Sequence, residues 1–169
     1  YKQSKLGYYP YTMVYNIAHE LRDKHFPADG VVLDIDYMDR YQLFTWNSKY
    51  FPHPRAMTDS LRKLGFRTTV IVDPGIKVAP EAPAYQKGLK QDVYLKYPNG
   101  QYYTGQVWPG WCDFVDFTSE KGRAYWRDQM HFFVNSGVSG VWNDMNEIST
   151  WGQHTPNNIL YDYDGQGAN

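Results

Sequence analysis

Cysteine is nearly absent from this sequence. The one thiol, Cys112, cannot close an internal disulfide, so nothing here requires an oxidising compartment. A surplus of one charge is absent too: 17 basic residues meet 18 acidic ones for a net charge of −1. Nucleic-acid binders carry a clustered basic excess, so a polyanion is not the expected partner. No apolar run approaches the length of a membrane span. The five histidines, His19, His25, His53, His131 and His154, show no His-x-His or His-x-x-x-His spacing, which leaves zinc or iron without a ligand cluster. A phosphate-binding loop, a dinucleotide fingerprint and a Gly-x-Ser-x-Gly elbow are likewise missing. No cofactor and no metal is therefore expected. At 169 residues the chain can bury one core and is too short for two ordinary domains.

Aromatic residues, by contrast, are plentiful, at 18% of the chain with 16 Tyr and 6 Trp. Flat aromatic faces suit sugar rings, although large side chains fill any core equally well. The remaining pattern alternates helices with short apolar strands. Val14, Ile17, Ala18 and Leu21 recur at helical spacing within residues 11–25. The run from Gly30 to Asp36 is β-branched and reads as a buried parallel strand. Pro54 can open a helix that buries Met57, Leu61 and Leu64 and stops at Gly65. A second such strand runs from Thr68 to Asp73. Thr118 or Ser119 can cap a helix carrying Trp126, Met130, Phe133 and Val134, closed by Gly137, and a further strand follows from Val138 to Asp144. Residues 76–117 break the alternation, with a hairpin turn expected at Pro98-Asn99-Gly100. Strand–helix–strand alternation predicts an α/β fold with a parallel sheet.

Three of these strands finish on aspartate: Asp34 or Asp36, then Asp73, then Asp144. An aspartate after a strand can simply cap the next helix, but three in register match the mouth of a (β/α)8 barrel, where chemistry gathers at the C-terminal strand ends. Strand parity places Trp142 with Asp144, Ile71 with Asp73, and Asp34 with Asp36. Paired carboxylates at such a mouth suit glycosidic cleavage, one attacking the anomeric carbon while a second protonates the leaving oxygen.

The residues themselves then become recognisable. Gly140-Val141-Trp142-Asn143-Asp144-Met145-Asn146-Glu147 resembles the signature of glycoside hydrolase family 31, the α-glucosidases and α-xylosidases. Leu33 to Met38, Phe44-Thr45-Trp46, Ile71 to Ile76 and Val107-Trp108-Pro109-Gly110 resemble further segments of that family in the same order. Tyr1 to Pro10 resembles its first barrel strand and loop. Ile148, Val115 and Asn47 depart from residues common at those places in the family. The resemblance implies a TIM barrel of which residues 1–169 form a partial catalytic domain, roughly the first four strand–helix units, with residues 76–117 inserted between the third and fourth strands. It implies a retaining mechanism with Asp144 as nucleophile. Asp34, Ile35, Ile71, Trp108, Trp142 and Met145 would contact the sugar, supported by Asp36, Asp73 and Glu147.

The resemblance also implies that the general acid/base lies beyond Asn169, so the expected partners are an α-glucoside or oligosaccharide and the remainder of the barrel. Asp34-Ile35-Asp36-Tyr37 is closer to glucosidases than to α-xylosidases, which leaves α-xylosidase or transglycosylase activity as alternatives within the family. A chitinase-like barrel fails because Met38 stands where its catalytic glutamate would be. A reading of a different class is a carbohydrate-binding or assembly fragment without turnover of its own. An isolated half-barrel is expected to be poorly soluble and close to inactive, because its sheet edges stay unpaired.

Overall fold

The structure is a computed structural model that describes residues 1–151, 156 and 158–167. Its elements in chain order are β1 (Lys2–Lys5), α1 (Tyr11–Asp23), β2 (Gly30–Leu33), α2 (Pro54–Lys63), β3 (Arg67–Val72), β4 (Gly75–Lys77), α3 (Pro83–Gln91), β5 (Thr104–Val107), β6 (Gly110–Phe114), α4 (Glu120–Asn135) and β7 (Gly140–Asn143). Two short 3-10 turns, Ile35–Tyr37 and Asp39–Tyr41, follow β2. Of the expected histidines, His154 lies outside the described residues. Two compact units divide the chain, residues 1–72 with 131–144, and residues 73–130 with 145–169.

The first unit holds a four-stranded, all-parallel sheet in the order β1-β2-β3-β7, as in part of a TIM barrel. Strand–helix alternation forces this arrangement, because parallel neighbours need a crossover between them. Val31, Leu33, Val70 and Val72 alternate along β2 and β3 and are buried to within about a hundredth of their surface, marking one apolar face. Helix α2 packs against β3 and α1 against α2. Val14 and Ala18 are the fully buried positions of α1, and Met57, Thr58 and Leu61 those of α2. Pro54 sits at the first turn of α2, where its missing N–H would have no partner anyway.

One arginine closes this layer. Arg22 donates to the carbonyls of Ala28 and Leu64 at 2.7 Å each, and its guanidinium lies 3.8 Å from the centre of the Phe66 ring. It thereby satisfies carbonyls at the ends of both helix–strand connections, which helix geometry alone leaves open. A second cluster, Tyr37, Phe44, Trp46, Phe51 and Phe133, packs ring on ring at 5.0–6.2 Å. Two donors anchor it: Trp46 Nε1 donates to Ser136 Oγ at 3.0 Å, and the Tyr37 hydroxyl to the Ile71 carbonyl at 2.8 Å.

The second unit holds a three-stranded antiparallel sheet, β4-β6-β5. Leu95, Tyr103, Val107, Cys112, Phe114 and Ile159 form its core. The turn at Tyr97–Gly100 is closed by the Gly100 N–H to the Tyr97 carbonyl, with Gly100 at φ +83°. Helix α3 was not foreseen from periodicity, since Gly88 interrupts its apolar face. A Cβ at Gly88 would meet the Tyr94 hydroxyl at 2.2 Å, so close packing of that ring explains a residue that otherwise weakens a helix. Strands β4 and β6 were also missed, being short and rich in Gly, Lys, Trp and Asp. For α4, Ser119 is the cap, its Oγ accepting the Gly122 N–H at 3.0 Å. Tyr125 and Phe133 are its buried aromatics, whereas Val134, assigned to the apolar face, is 62% exposed.

Asp92 ends α3 in the left-handed region and gathers three donors: Lys96 at 2.6–2.7 Å, Tyr102 at 3.0 Å and Lys121 at 3.1 Å. Burial alone would raise its pKa, but the hydrogen bonds from Lys96, Lys121 and Tyr102 outweigh that and hold it at about 2. A carboxylate lowered on folding stabilises the fold above its unfolded pKa of 3.8, and the contribution fades as pH falls toward 2. Asp92→Asn should therefore lower the thermal midpoint at pH 7, and the gap to the parent should close between about pH 4 and pH 2. Calorimetric melts across that range check it; a gap that does not change with pH would contradict the assignment.

Candidate active site

Register builds the first unit's share of the site. Leu33 pairs with Val70 and Val70 with Val141, while Ile71 pairs with Trp142. One step further along β2, Asp34 enters the same row as Ile71 and Trp142. Because side chains alternate along strands, the three point to one face of the sheet. Asp144 follows two residues after Trp142, just past the end of β7. Each of β2, β3 and β7 is thus followed directly by an aspartate or its neighbour: Asp34 after Leu33, Asp73 after Val72, Asp144 after Asn143.

Local hydrogen bonds fix these side chains differently. Asp34 caps the turn that follows, its Oδ1 accepting the Ile35 N–H at 2.8 Å. Ile35 and Ile71 are buried, at 5% and 3% exposure. The Tyr37 hydroxyl bond to the Ile71 carbonyl pins the post-β2 turn to the end of β3. Trp142 and Asp144 are exposed on β7 and just beyond it. Asp36 departs from the parity expected of it. The chain leaves the strand after Leu33 and coils into a 3-10 turn, so strand alternation stops before Asp36 is reached. Its Oδ2 instead accepts the Gly7 N–H at 2.8 Å, tying down the loop after β1. Burial pushes the Asp36 carboxyl above the ordinary carboxylate value; the Gly7 N–H opposes this and the Asp34 charge adds to it.

The second unit carries the other expected residues. Asp73 follows β3 and is 6% exposed. Trp108 stands in the β5–β6 turn, with its ring centre 5.1 Å from that of Trp151 at an interplanar angle of 87°. Trp151 was not singled out from the sequence, although a tryptophan seven residues after Asp144 in the same polar stretch is a usable signal. Its N–H donates to the Gln106 carbonyl at 2.8 Å, which locks it to β5. Met145 adopts φ +59°, a left-handed conformation that turns the chain sharply right after Asp144. Its side chain and that of Ile148 pack on the Leu95–Phe114 core, and the Ser149 N–H closes the turn onto the Met145 carbonyl at 3.2 Å. Glu147 is exposed within that turn.

Among the described residues no three His, Cys, Asp or Glu side chains group as metal ligands, and no helix is long and apolar enough to cross a membrane. The first unit therefore offers carboxylates beside apolar and aromatic side chains. Such a set can hold a polyhydroxylated ring and present a nucleophile to it.

Comparison with known proteins gives the same direction. The TIM-barrel domain of the glycosyl hydrolases family 31 matches residues 1–168. Alpha-glucosidase 2 of Bacillus thermoamyloliquefaciens is 38% identical over 167 residues, which cover 99% of this chain and 21% of that protein. The alpha-glucosidase of Saccharolobus solfataricus is 35% identical over 147 residues, covering 87% of this chain and 21% of that protein. Among solved structures, the family 31 alpha-glucosidase from Bacteroides thetaiotaomicron superposes with a TM-score of 0.79 at 41% identity, over 96% of this chain and 27% of that one. An ER glucosidase II complex of catalytic subunit and regulatory-subunit binding domain reaches 0.89 at 27% identity, over 95% of this chain and 18% of that one. The chain spans about a fifth of the length of these curated relatives. With a match over nearly every residue and a parallel sheet of the expected kind, the chain belongs to glycosyl hydrolase family 31 and to its TIM-barrel domain.

Proposed function

We propose that this chain carries the nucleophile of a retaining α-glucosidase, and that Asp144 is that nucleophile. The observation that carries the reading is the pairing of Ile71 on β3 with Trp142 on β7, with Asp34 directly after β2 and the exposed Asp144 directly after β7. The relatives named alpha-glucosidases support the substrate class.

In this mechanism the Asp144 carboxylate attacks the anomeric carbon of an α-glucoside. The C1–O bond breaks, and the departing oxygen takes a proton from a second carboxyl about 5–5.5 Å away. The same second group then removes a proton from water, which displaces Asp144 from C1 and restores the α configuration. A sugar hydroxyl in place of that water gives transfer instead of hydrolysis. Asp36 holds the Gly7 N–H and Asp73 is 6% exposed, so neither is well placed to shuttle protons with solvent. The proton donor is assigned to the remainder of the barrel. Asp34 accepts hydrogen bonds from sugar hydroxyls and Trp142 offers an apolar face to the ring.

The test follows the anomeric carbon. In the complete enzyme, proton NMR should show the α-anomer of glucose as the first product from an aryl α-glucoside. Asp144→Ala should lose nearly all turnover, and added azide should restore part of it with a β-glucosyl azide as product, because azide occupies the vacated nucleophile position. First release of the β-anomer would contradict the retaining mechanism, and an active Asp144→Ala enzyme would contradict the nucleophile.

Charge-assisted hydrogen bonds to a sugar hydroxyl contribute about 1.5–3 kcal/mol each. Asp34→Ala should therefore lower kcat/KM by about 10- to 100-fold, with part of the loss in KM. A thermal melt of the variant separates this from a folding defect, and an unchanged kcat/KM in a folded variant would contradict the role.

A further inference from the structure

A cavity of about 280 Å³ lies in the second unit and shares no lining residue with the candidate active site. One wall is the turn after α3, with Lys96, Tyr97 and Gly100; the opposite wall is the segment from Leu160 to Gly167. That segment is held in place at several points. Its Leu160 N–H donates to the Lys96 carbonyl at 2.8 Å, the Asp162 N–H to Asp116 Oδ2 at 2.7 Å and the Tyr163 N–H to Thr118 Oγ1 at 2.9 Å. Arg123 adds a bidentate pair to Asp164 at 2.8 and 2.9 Å. This open cavity therefore has a wall held by backbone hydrogen bonds and a forked ion pair rather than by loose side chains.

Its charge pattern narrows the ligand. Lys96 and Lys121 both bond Asp92, so each ammonium already has a carboxylate partner. Asp116 is bonded through Oδ1 by the Thr118 N–H and hydroxyl and through Oδ2 by the Asp162 N–H. A free phosphate would find its ammonium partners already paired, and a cation would find Asp92 and Asp116 already bonded. Each ammonium keeps further N–H donors and each carboxylate further lone pairs, beside the half-buried rings of Tyr97 and Tyr161, both packed onto the unit's core. Hydroxyl groups can donate and accept at once, so a neutral polyhydroxylated ring satisfies both kinds of partner while its C–H face lies on a tyrosine.

We propose that this cavity is a second, non-catalytic sugar-binding site, which holds a glucose-type ring of an oligosaccharide between Tyr97, Tyr161 and the Asp92–Lys121 pair. Such a site raises the local concentration of long substrates and leaves the cleavage of small ones alone. It does not depend on the assignment of Asp144, because binding is read separately from turnover.

The test uses the complete enzyme on native gels cast with and without a soluble α-glucan, alongside turnover of an aryl α-glucoside. Tyr97→Ala removes a ring face. Lys121→Met removes an ammonium head while keeping a stem of similar length, and Lys96 stays on Asp92. Each variant should lose retention on the glucan by about tenfold in apparent affinity, as expected for one charge-assisted hydrogen bond or one ring face. The aryl glucoside should be turned over at the parent rate, and circular dichroism melts confirm folding. Retention that persists in a folded Lys121→Met enzyme would overturn the proposal, as would a parent enzyme that the glucan does not retard. Parallel loss of aryl glucoside turnover in folded variants would also overturn it, because the cavity would then serve the catalytic site.

Discussion

The parallel hydrogen-bond ladder across β1, β2, β3 and β7 is the constraint on which the rest of the first unit depends. A strand buried among parallel neighbours must pair every backbone N–H and C=O, so its register cannot slip without moving its whole apolar set to the other face. That register decides which side chains share a row. Asp34, Ile71 and Trp142 are neighbours because Leu33 pairs with Val70 and Ile71 with Trp142. Alternation then sorts the side chains: Val31, Leu33, Val70 and Val72 form one fully buried row, while Ile71 and Trp142 are paired across β3 and β7. The Tyr37 hydroxyl bond to the Ile71 carbonyl and the Asp36 bond to the Gly7 N–H extend the same order into the loops.

Aromatic residues divide their work between the two units. In the first, Tyr37, Trp46, Phe51 and Phe133 form a packed cluster whose polar atoms reach Ser136 and Ile71. In the second, Tyr85, Tyr94 and Tyr103 pack around the antiparallel sheet, while Trp108 and Trp151 stay close to half-exposed and meet edge to face. Burial consumes the first kind of aromatic surface and leaves the second kind exposed. High aromatic content alone does not distinguish the two.

Much of the fold was legible because periodicity and punctuation agreed. Val14, Ala18 and Leu21 at helical spacing, Pro54 opening a helix, and β-branched runs at Val31 and Val70 all describe local preferences that the parallel sheet then uses. Legibility failed where a tertiary contact decided the local structure. Gly88 hid α3, since its purpose is the approach of the Tyr94 ring. Asp36 escaped strand parity because the 3-10 turn begins at Ile35. Val134 looked apolar at a helical position and is exposed, while Tyr125 carries the burial instead. The carboxylates at strand ends were visible as a pattern, but their roles came from resemblance, since spacing cannot tell a nucleophile from a helix cap. Trp151 offered a signal in its place after Asp144, but only the fold puts its ring against Trp108.

The proposed mechanism rests on Asp144, an exposed carboxylate just past the end of β7. The most direct measurement is covalent. The complete enzyme treated with 5-fluoro-α-glucosyl fluoride should accumulate one glycosyl ester per active chain, and peptide mapping by mass spectrometry should place it on Asp144. A label on Asp34 or Asp36, or on a residue outside this chain, would contradict the account.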